Sequence, residues 1–324
     1  MPKRVRHFRI GDYMKKTSIG GEALIEGVMM RGPDEIAIAI RKPDGEIAVE
    51  KKPLKTLAKR HKIFKTPIIR GAVGLFESMV IGVKSLMHSA EFVELDEEEN
   101  KESKFDKFLE RVFGDKIKDA IVYFSVIIAL AMGIGLFILL PNLLAGFLNF
   151  NKNTASGVLY YNLFEGVLRI FLFVGYIILV SRMKDIARVF MYHGAEHKTI
   201  HCYEHEEELT VENVRKYTTR HPRCGTAFMF VVMIISILVF SLVGWGNIFM
   251  NILFRLLLLP LVAGLSYEVI KFAGRSDSAI SKIVSAPGLA LQRFTTREPD
   301  DSQIEVAIEA LKNVIVEDTE ADKW

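Results

Sequence analysis

The spacing of hydrophobic residues changes along the chain, and the first spacing predicts strands. Between residues 34 and 51, isoleucine alternates with alanine, a Lys-Pro-Asp-Gly turn segment follows, and the alternation resumes. This pattern predicts a β-hairpin. The stretch 19–30 adds a strand whose glycines allow close backbone approach. We therefore expect a small β-rich unit within residues 1–66.

Further along, apolar residues run almost without interruption in four stretches. A helix that crosses a membrane needs about 20 such residues. The stretches within residues 119–270 cover 120–140, 159–180, 227–243 and 248–270. They predict a membrane α-helical fold with four transmembrane helices. The composition agrees, because half of the residues are hydrophobic and the mean hydropathy is +0.23.

Basic residues are distributed unevenly around these stretches. Residues 1–118 hold 24 of the 42 lysines and arginines, residues 182–226 hold eight, and residues 146–157 hold one. Basic residues accumulate on the cytoplasmic side of membrane proteins. Both termini, the β-rich unit and a His-rich loop over 182–226 are therefore predicted to be cytoplasmic, in a multi-pass protein of the cell membrane.

Two further segments flank the predicted membrane domain. Residues 67–118 are expected to form an interfacial helix and an acidic linker, since the charges of 67–90 share one helix face. Residues 271–324 are predicted to be a cytoplasmic C-terminal segment containing an amphipathic helix. Ser302 and Glu305 have the spacing of a capping box at its start. The apolar residues that follow at helical spacing are Ile304, Ile308, Leu311 and Ile315.

Composition and charge exclude several classes of protein. The chain has two cysteines, Cys202 and Cys224, which are too few for a disulfide scaffold. Its net charge of +3 is too small to indicate a nucleic-acid-binding protein. The basic run 51–65 includes no aromatic platform beyond Phe64. We therefore expect this run to contact anionic headgroups of the lipid bilayer, and we expect no nucleic-acid partner.

The candidate chemistry lies in the predicted cytoplasmic loop, which holds five of the eight histidines between residues 193 and 221. A His-x-x-Glu-His motif occurs at 193–197 and again at 201–205. Side chains four residues apart share one helix face, so two such imidazoles can hold a divalent metal ion. The same order of residues occurs in inverted zincins.

A second segment can complete this site, because His221 and Cys224 are three residues apart where the third apolar stretch begins. That spacing suits metal ligands in a turn. Glu196 is the predicted catalytic base, or a further ligand. The alternative is that these side chains cap helices and bind headgroups. The predicted metal ligands are His193, His197, His201, His221 and Cys224.

The apolar stretches contain a few charged residues, which are costly inside a membrane and are usually paired or functional. They include Glu165, Arg169 and Arg255. We expect Glu165 or a helix carbonyl to neutralise Arg255 or Arg169 and so to hold the second and fourth spans together. The alternative is a polar pathway for a proton or a small ion.

Several motifs resemble the signatures of the YqhQ-like family of bacterial membrane proteins. The resemblance covers roughly residues 19–299 and is carried by GGEALIEGVMMRGP at 20–33, YHGAEHK at 192–198, HPRCGT at 221–226, LSYE at 265–268, and PGL and TTREP between 287 and 299. It implies a bacterial, metal-dependent enzyme. It also draws attention to Glu22, Glu26 and Arg31, which can approach the histidines from the β-rich unit.

These observations favour two functions, and a transporter that depends on Arg169 or Glu165 is a third interpretation. The first is a cytoplasm-facing hydrolase of a membrane-associated substrate, with a divalent metal ion such as zinc as cofactor. The second is a non-enzymatic scaffold that binds a membrane protein partner, such as the protein insertion or translocation machinery. In the scaffold, a closed metal site or no metal would join the loop to the β-rich unit.

Overall fold

A computed structural model describes residues 16–57, 61–92, 117–148, 150–151, 154–242, 248–275 and 278–316. The chain divides into two compact units. One comprises Met1–Val93, Tyr176–Phe240 and Gly246–Trp324, and the other comprises Glu94–Gly175 and Ser241–Trp245. The β-rich region and the histidines both belong to the first unit.

The N-terminal region forms one antiparallel sheet with the strand order β1-β2-β3-β4. The predicted hairpin is confirmed by β3 and β4, and Gly45 in its turn has a φ of 88°, which glycine adopts without strain. The glycine-rich stretch was expected to add one strand, but it contributes two, β1 and β2. The strands are β1 (Gly20–Leu24), β2 (Gly27–Arg31), β3 (Glu35–Arg41) and β4 (Ile47–Pro53).

Both faces of this sheet are buried. The isoleucines of β3 pack with Leu54 and with helix α1 (Ile69–Phe92). On the opposite face, Ala37 and Ala39 pack against helices α5 (Lys184–Glu204) and α10 (Asp301–Lys312). Alanine is small enough to let helices approach the strands closely, so the alternation of large and small residues marks two packed faces.

Helix α1 leaves the sheet and packs on α8 (Ile248–Arg275). The guanidinium of Arg70 donates two hydrogen bonds to the carboxylate of Glu268. The bond from Nε to Oε1 is 2.7 Å long, and the other runs from Nη2 to Oε2. Phe76, Met79 and Val83 form an exposed apolar stripe on α1. The helix expected within 67–118 is therefore present, while most of the predicted acidic linker lies outside the described residues.

Three helical segments within the described chain are long and apolar enough to cross a membrane: Ile127–Gly146, Ser156–Val180 and Leu253–Gly274. The first runs through α2 (Ile117–Ile134), a π-helical segment and α3 (Leu140–Gly146). The second is most of α4 (Ala155–Val180), and the third belongs to α8. The remaining predicted span forms α7 (Gly225–Ser241), which is apolar but only 17 residues long. Length and composition thus identify a membrane protein with three candidate spans.

Arg169 is neutralised by Glu165, as expected, but this ion pair lies within α4 and not between the second and fourth predicted spans. Arg169 donates to Glu165 Oε1 over 2.6 Å and to the carbonyl oxygen of Phe137 over 2.8 Å. Phe137 lies in the π-helical segment Gly135–Leu139, and π-helical turns alter the regular pattern of backbone hydrogen bonds. Arg255 lies instead over the ring of Phe240, 5.4 Å from its centroid.

The predicted loop 182–226 is largely helical and not an open loop. It consists of α5, α6 (Val211–Arg215) and an irregular segment, residues 216–224, that leads into α7. After α8, helix α9 (Ala279–Thr295) is followed by residues 296–300, which we call the strap, and then by α10.

The C-terminal helix is amphipathic, as predicted, but it begins earlier than its sequence indicated. The capping box uses Asp300 and Gln303, not Ser302 and Glu305. Glu305 instead pairs with Arg41 over 2.7 Å, so a cross-element ion pair has replaced its predicted capping role. Ile304, Ile308 and Leu311 are buried, whereas Ile315 lies beyond the end of the helix and is 39% exposed.

Candidate metal centre

The first His-x-x-Glu-His motif lies in the middle of α5, where the helix packs between β1 and α10. The imidazoles of His193 and His197 are one helical turn apart, and their ring centroids are separated by 4.4 Å. Glu196 lies on the adjacent face and is almost fully buried. The helical spacing predicted from the sequence therefore places both rings side by side.

The irregular segment before α7 brings Cys224 to these two imidazoles. The Cys224 Sγ lies 3.3 Å from His193 Nε2. One ligand atom each from His193, His197 and Cys224 all lie within 4.8 Å of one another. Two imidazole nitrogens and a thiolate form a set of ligands that zinc and similar divalent ions prefer.

Backbone carbonyls orient both imidazoles. His193 Nδ1 lies 2.8 Å from the carbonyl oxygen of Thr295, and His197 Nδ1 lies 2.6 Å from that of Thr219. A carbonyl only accepts hydrogen bonds, so each Nδ1 carries the proton and each Nε2 of a neutral ring offers its lone pair. Histidine ligands in metal sites are commonly oriented in this way.

Thr295 is able to take this role because it is the last residue of α9. The final carbonyls of a helix have no partner within the helix, so they are free to accept a hydrogen bond from outside it.

Glu196 is held by the sheet but keeps one oxygen without a partner. The backbone N–H of Gly21 in β1 hydrogen-bonds to the carboxylate. Its Oε2 is buried and has no hydrogen-bond partner among the described residues. This oxygen lies 3.7 Å from Nε2 of His193 and 3.8 Å from Nε2 of His197. A buried, unpaired carboxylate oxygen beside two imidazoles and a thiol is compatible with the binding of a cation at this point.

The electrostatics of the protein without metal favour a thiolate. Burial alone would raise the pKa of the Cys224 thiol, but His193 and His197 hold it well below its usual range. Burial acts to lower the pKa of His193, yet Cys224 and Glu196 together raise it to about 9. Burial also raises the pKa of Glu196. These shifts favour a Cys224 thiolate beside a protonated His193, and the thiolate is the form of cysteine that binds metals.

The other two predicted ligands, His201 and His221, belong to a second group. It is centred on Glu204, whose carboxylate accepts hydrogen bonds from the backbone N–H of Thr17 at 2.8 Å and from the guanidinium of Arg223. His221 Nε2 lies 3.4 Å from the same carboxylate. Although these atoms could also surround an ion, Arg223 already supplies a positive charge there. The second group is therefore a buried ion pair flanked by two imidazoles.

The surroundings of both imidazoles in this group favour the neutral form. Burial holds the pKa of His201 and His221 well below the usual range, and the charge of Arg223 lowers that of His221 further. The ring centroid of His221 is 5.6 Å from that of His197, so the two groups adjoin. The five predicted ligands thus divide into a three-residue candidate metal centre, comprising His193, His197 and Cys224, and a neighbouring network.

The acidic residues singled out near the N-terminus have different surroundings. Burial, with the Glu196 carboxylate as the second cause, raises the pKa of Glu22 to about 7. Glu26 binds the guanidinium of Arg188 and accepts a hydrogen bond from Tyr192 over 3.1 Å. Glu22 therefore approaches the candidate metal centre, whereas Glu26 ties the β1–β2 turn to α5.

Alkylation should distinguish the two cysteines in protein stripped of metal by a chelator. Burial raises the pKa of Cys202 to about 12, so it stays a thiol at neutral pH. We expect iodoacetamide to modify Cys224 at least about tenfold faster than Cys202 at pH 7, because the thiolate is the reactive form. Between pH 6 and 8 the rate at Cys224 should rise less steeply than that of an ordinary thiol, because His193 and His197 lower its pKa. Peptide mass spectrometry measures both rates.

Zinc provides the control for this experiment, because an ion bound by Cys224 would protect it from alkylation. A rate at Cys224 that rises about tenfold per pH unit, as for an ordinary thiol, would contradict the thiolate assignment.

Some groups that shape the centre could not have been identified from the sequence. The carbonyls of Thr219 and Thr295 lie 22 and 102 residues from the histidines they orient. Backbone carbonyls have no residue-specific signature. Arg223, in contrast, lies within the HPRCGT segment and was identifiable as a charge beside the predicted ligands.

Comparison with known proteins agrees with the resemblance seen in the sequence. The family model described as "Protein of unknown function (DUF1385)" matches residues 66–317. The chain is 35% identical over 303 residues to "Uncharacterized protein YqhQ" of Bacillus subtilis (strain 168), covering 91% of this chain and 92% of the relative. No solved structure matches the chain. On the extent of these two matches, the chain belongs to the DUF1385 family, which is the YqhQ-like family.

Proposed function

We propose that this chain is a membrane-bound, metal-dependent hydrolase. In this proposal His193, His197 and Cys224 hold a divalent ion such as zinc, and Glu196 is the general base. The observation that carries the proposal is the buried Oε2 of Glu196, which has no hydrogen-bond partner among the described residues and lies within 4 Å of both imidazole Nε2 atoms. Three protein ligands with a carboxylate beside them are typical of catalytic zinc sites.

The chemistry divides between the ion and the protein. A divalent ion at such a site lowers the pKa of a water molecule and polarises a carbonyl or phosphoryl oxygen. Glu196 accepts a proton on Oε2 and later donates it to the leaving group. The backbone N–H of Gly21 holds the carboxylate in place by a hydrogen bond. Burial raises the pKa of this carboxyl, and a higher pKa makes its carboxylate a stronger base. His193 keeps 16% of its side chain exposed, so a substrate would approach from that side.

We also propose that the protein has four spans, with the candidate metal centre on the same side as both terminal regions. The support comes from packing, because the β-sheet, α5 and α10 share one buried core and so lie on one side of the membrane. An even number of crossings must separate α5 from α10. If α8 crosses, α7 has to cross as well, and its 17 residues lie at the lower limit of a span. The distribution of basic residues supports assigning this side to the cytoplasm.

Metal content tests the hydrolase proposal. We expect about one ion per chain in the detergent-purified protein by elemental mass spectrometry, and less than a tenth of that in the His193→Ala/His197→Ala variant. The matched control is His61→Ala/His88→Ala, which also removes two histidines but none at the centre, and it should retain the ion. A wild-type chain that stays metal-free after incubation with zinc would overturn the proposal.

The scaffold remains a second candidate, because the centre joins three separate elements. Its residues connect α5, the segment before α7 and the end of α9, as a structural zinc site would. The role of Glu196 separates the two functions. Glu196→Gln should retain the ion if Glu196 is a base, and should lose most of its metal affinity if Glu196 is a fourth ligand of a closed site.

A further inference from the structure

A cavity of about 330 Å³ lies away from the candidate metal centre, between the sheet and the pair α1 and α8. Its walls come from the end of β2, the 3-10 turn Lys62–Lys65, the first turns of α1 and one residue of α8. The lining residues used in the argument are Arg31, Lys65, Arg70, Gly74, Glu77 and Tyr267.

The lining of this cavity carries a net positive charge, since it includes three basic side chains and one carboxylate, although Arg70 is paired with Glu268, which does not line the cavity. Arg31 is oriented by a hydrogen bond of 2.9 Å to Ser78 Oγ, and Arg70 by its two bonds to Glu268. Glu77 accepts a hydrogen bond from the backbone N–H of Leu57. Lys65 has an exposed side chain with no carboxylate within ion-pair distance in the described parts of the chain.

The cavity lies where a candidate membrane span meets the polar part of the protein. Tyr267 belongs to the apolar stretch Leu253–Gly274 of α8. The ring of Tyr267 also lies beneath the guanidinium of Arg70, at 5.9 Å from its centroid. The exposed apolar stripe of α1 begins at Phe76, two residues beyond Gly74. Cations, a tyrosine and adjoining apolar surface are the features found at the headgroup level of a membrane.

We propose that this cavity binds a phosphate group, either that of an anionic lipid headgroup or that of free phosphate. Guanidinium groups offer paired N–H donors that match phosphate oxygens, and an ammonium adds a mobile positive charge. Two oriented arginines and the ammonium of Lys65 around one cavity provide both kinds of group. The cavity shares no lining residue with the candidate metal centre, so this proposal stands independently of the hydrolase proposal.

Gly74 allows the cavity to be closed without removing a charge. A Cβ at this position would meet nothing within 4 Å, so the open space reaches the backbone of α1. Gly74→Leu places a side chain into that space. Gly74→Ala adds only a methyl group and, in a helix, should fold at least as well as the wild type.

Binding is measured by calorimetry on the full chain in dodecyl maltoside, which carries no phosphate. The probes are dihexanoyl phosphatidic acid, dihexanoyl phosphatidylcholine and inorganic phosphate. We expect phosphatidic acid to bind saturably, about tenfold more weakly to Gly74→Leu, and about fivefold more weakly to Lys65→Met because one basic residue near the surface is lost. Gly74→Ala and Lys84→Met, which changes a lysine of α1 outside the cavity, should bind like the wild type.

The outcomes separate the two sources of phosphate. Binding of phosphatidic acid alone supports a lipid headgroup, and equal binding of inorganic phosphate supports a free-phosphate site. The proposal is overturned if phosphatidylcholine binds as tightly as phosphatidic acid, if neither phosphate probe binds saturably, or if Gly74→Leu and Lys65→Met bind like the wild type. Thermal unfolding of each variant confirms that a loss of binding reflects the cavity and not the fold.

Discussion

Replacing Glu204 by leucine is expected to lower the free energy of unfolding by about 3–5 kcal/mol, because it leaves a buried charge without its partner. Glu204 is fully buried and Arg223 keeps only 4% of its side chain exposed. The carboxylate also accepts the backbone N–H of Thr17 and faces His221. Its removal therefore leaves a guanidinium and a backbone donor without their acceptor. Urea denaturation of the detergent-solubilised chain, followed by circular dichroism, measures the change.

Two comparisons show whether the buried charge is responsible. Glu204→Leu/Arg223→Met removes both charges at similar volume and should recover most of the lost stability. Glu305→Leu breaks the exposed pair with Arg41, in which Glu305 is 51% exposed, and should cost no more than about 1 kcal/mol. An equal loss in the free energy of unfolding for Glu204→Leu and Glu305→Leu would show that the buried ion pair stabilises the fold no more than an exposed one.

The same variant also tests how the histidines are divided. Glu204 contacts His221 and Arg223 but not the three residues of the candidate metal centre. Glu204→Leu should therefore leave the metal content unchanged at temperatures where the protein stays folded. A parallel loss of metal would mean that the second group is part of the ion site, as the sequence alone had predicted for His201 and His221.

Periodicity predicted the parts of this structure that depend on one segment. The hairpin of β3 and β4, the apolar spans and the shared face of His193 and His197 follow from residue spacing alone. The burial of Ala37 and Ala39 did not follow, because an alanine suits an exposed strand face as well as a tightly packed one. What decides between them is α10, which lies more than 260 residues away in the chain.

The candidate metal centre shows the same limit at the level of single side chains. The sequence placed Cys224 and His221 together as ligands because they are three residues apart. In the structure Cys224 faces His193, whereas His221 faces Glu204. The turn formed by residues 221–224 points the two side chains at different partners. The spacing of His221 and Cys224 in the sequence does not predict which way each side chain points. Arg223, which lies between His221 and Cys224 in the sequence, contacts both Glu204 and His221 through its guanidinium. These contacts place His221 in the second group.

Replacing Gly194 by alanine is expected to weaken metal binding by about 10- to 100-fold without changing any ligand. Gly194 faces the strap, and a Cβ there would overlap the carbonyl oxygen of Arg297. The strap is held to α5 by a hydrogen bond of 2.8 Å from Arg297 N to the carbonyl of Phe190. Displacing it moves the adjoining Thr295 carbonyl away from His193 Nδ1. Loss of such a supporting hydrogen bond typically lowers metal affinity by about this factor.

The matched control for Gly194→Ala is Gly175→Ala, which adds the same methyl group to a helical glycine with nothing within 4 Å of the new atom. It should be neutral or slightly stabilising, since alanine favours helices over glycine. Zinc affinity is measured by competition with a chromogenic chelator, and stability by thermal unfolding. Gly194→Ala should also cost about 1–3 kcal/mol from overpacking. If it loses stability but binds zinc like the wild type, the Thr295 carbonyl does not orient the ligand, and the strap only packs against α5.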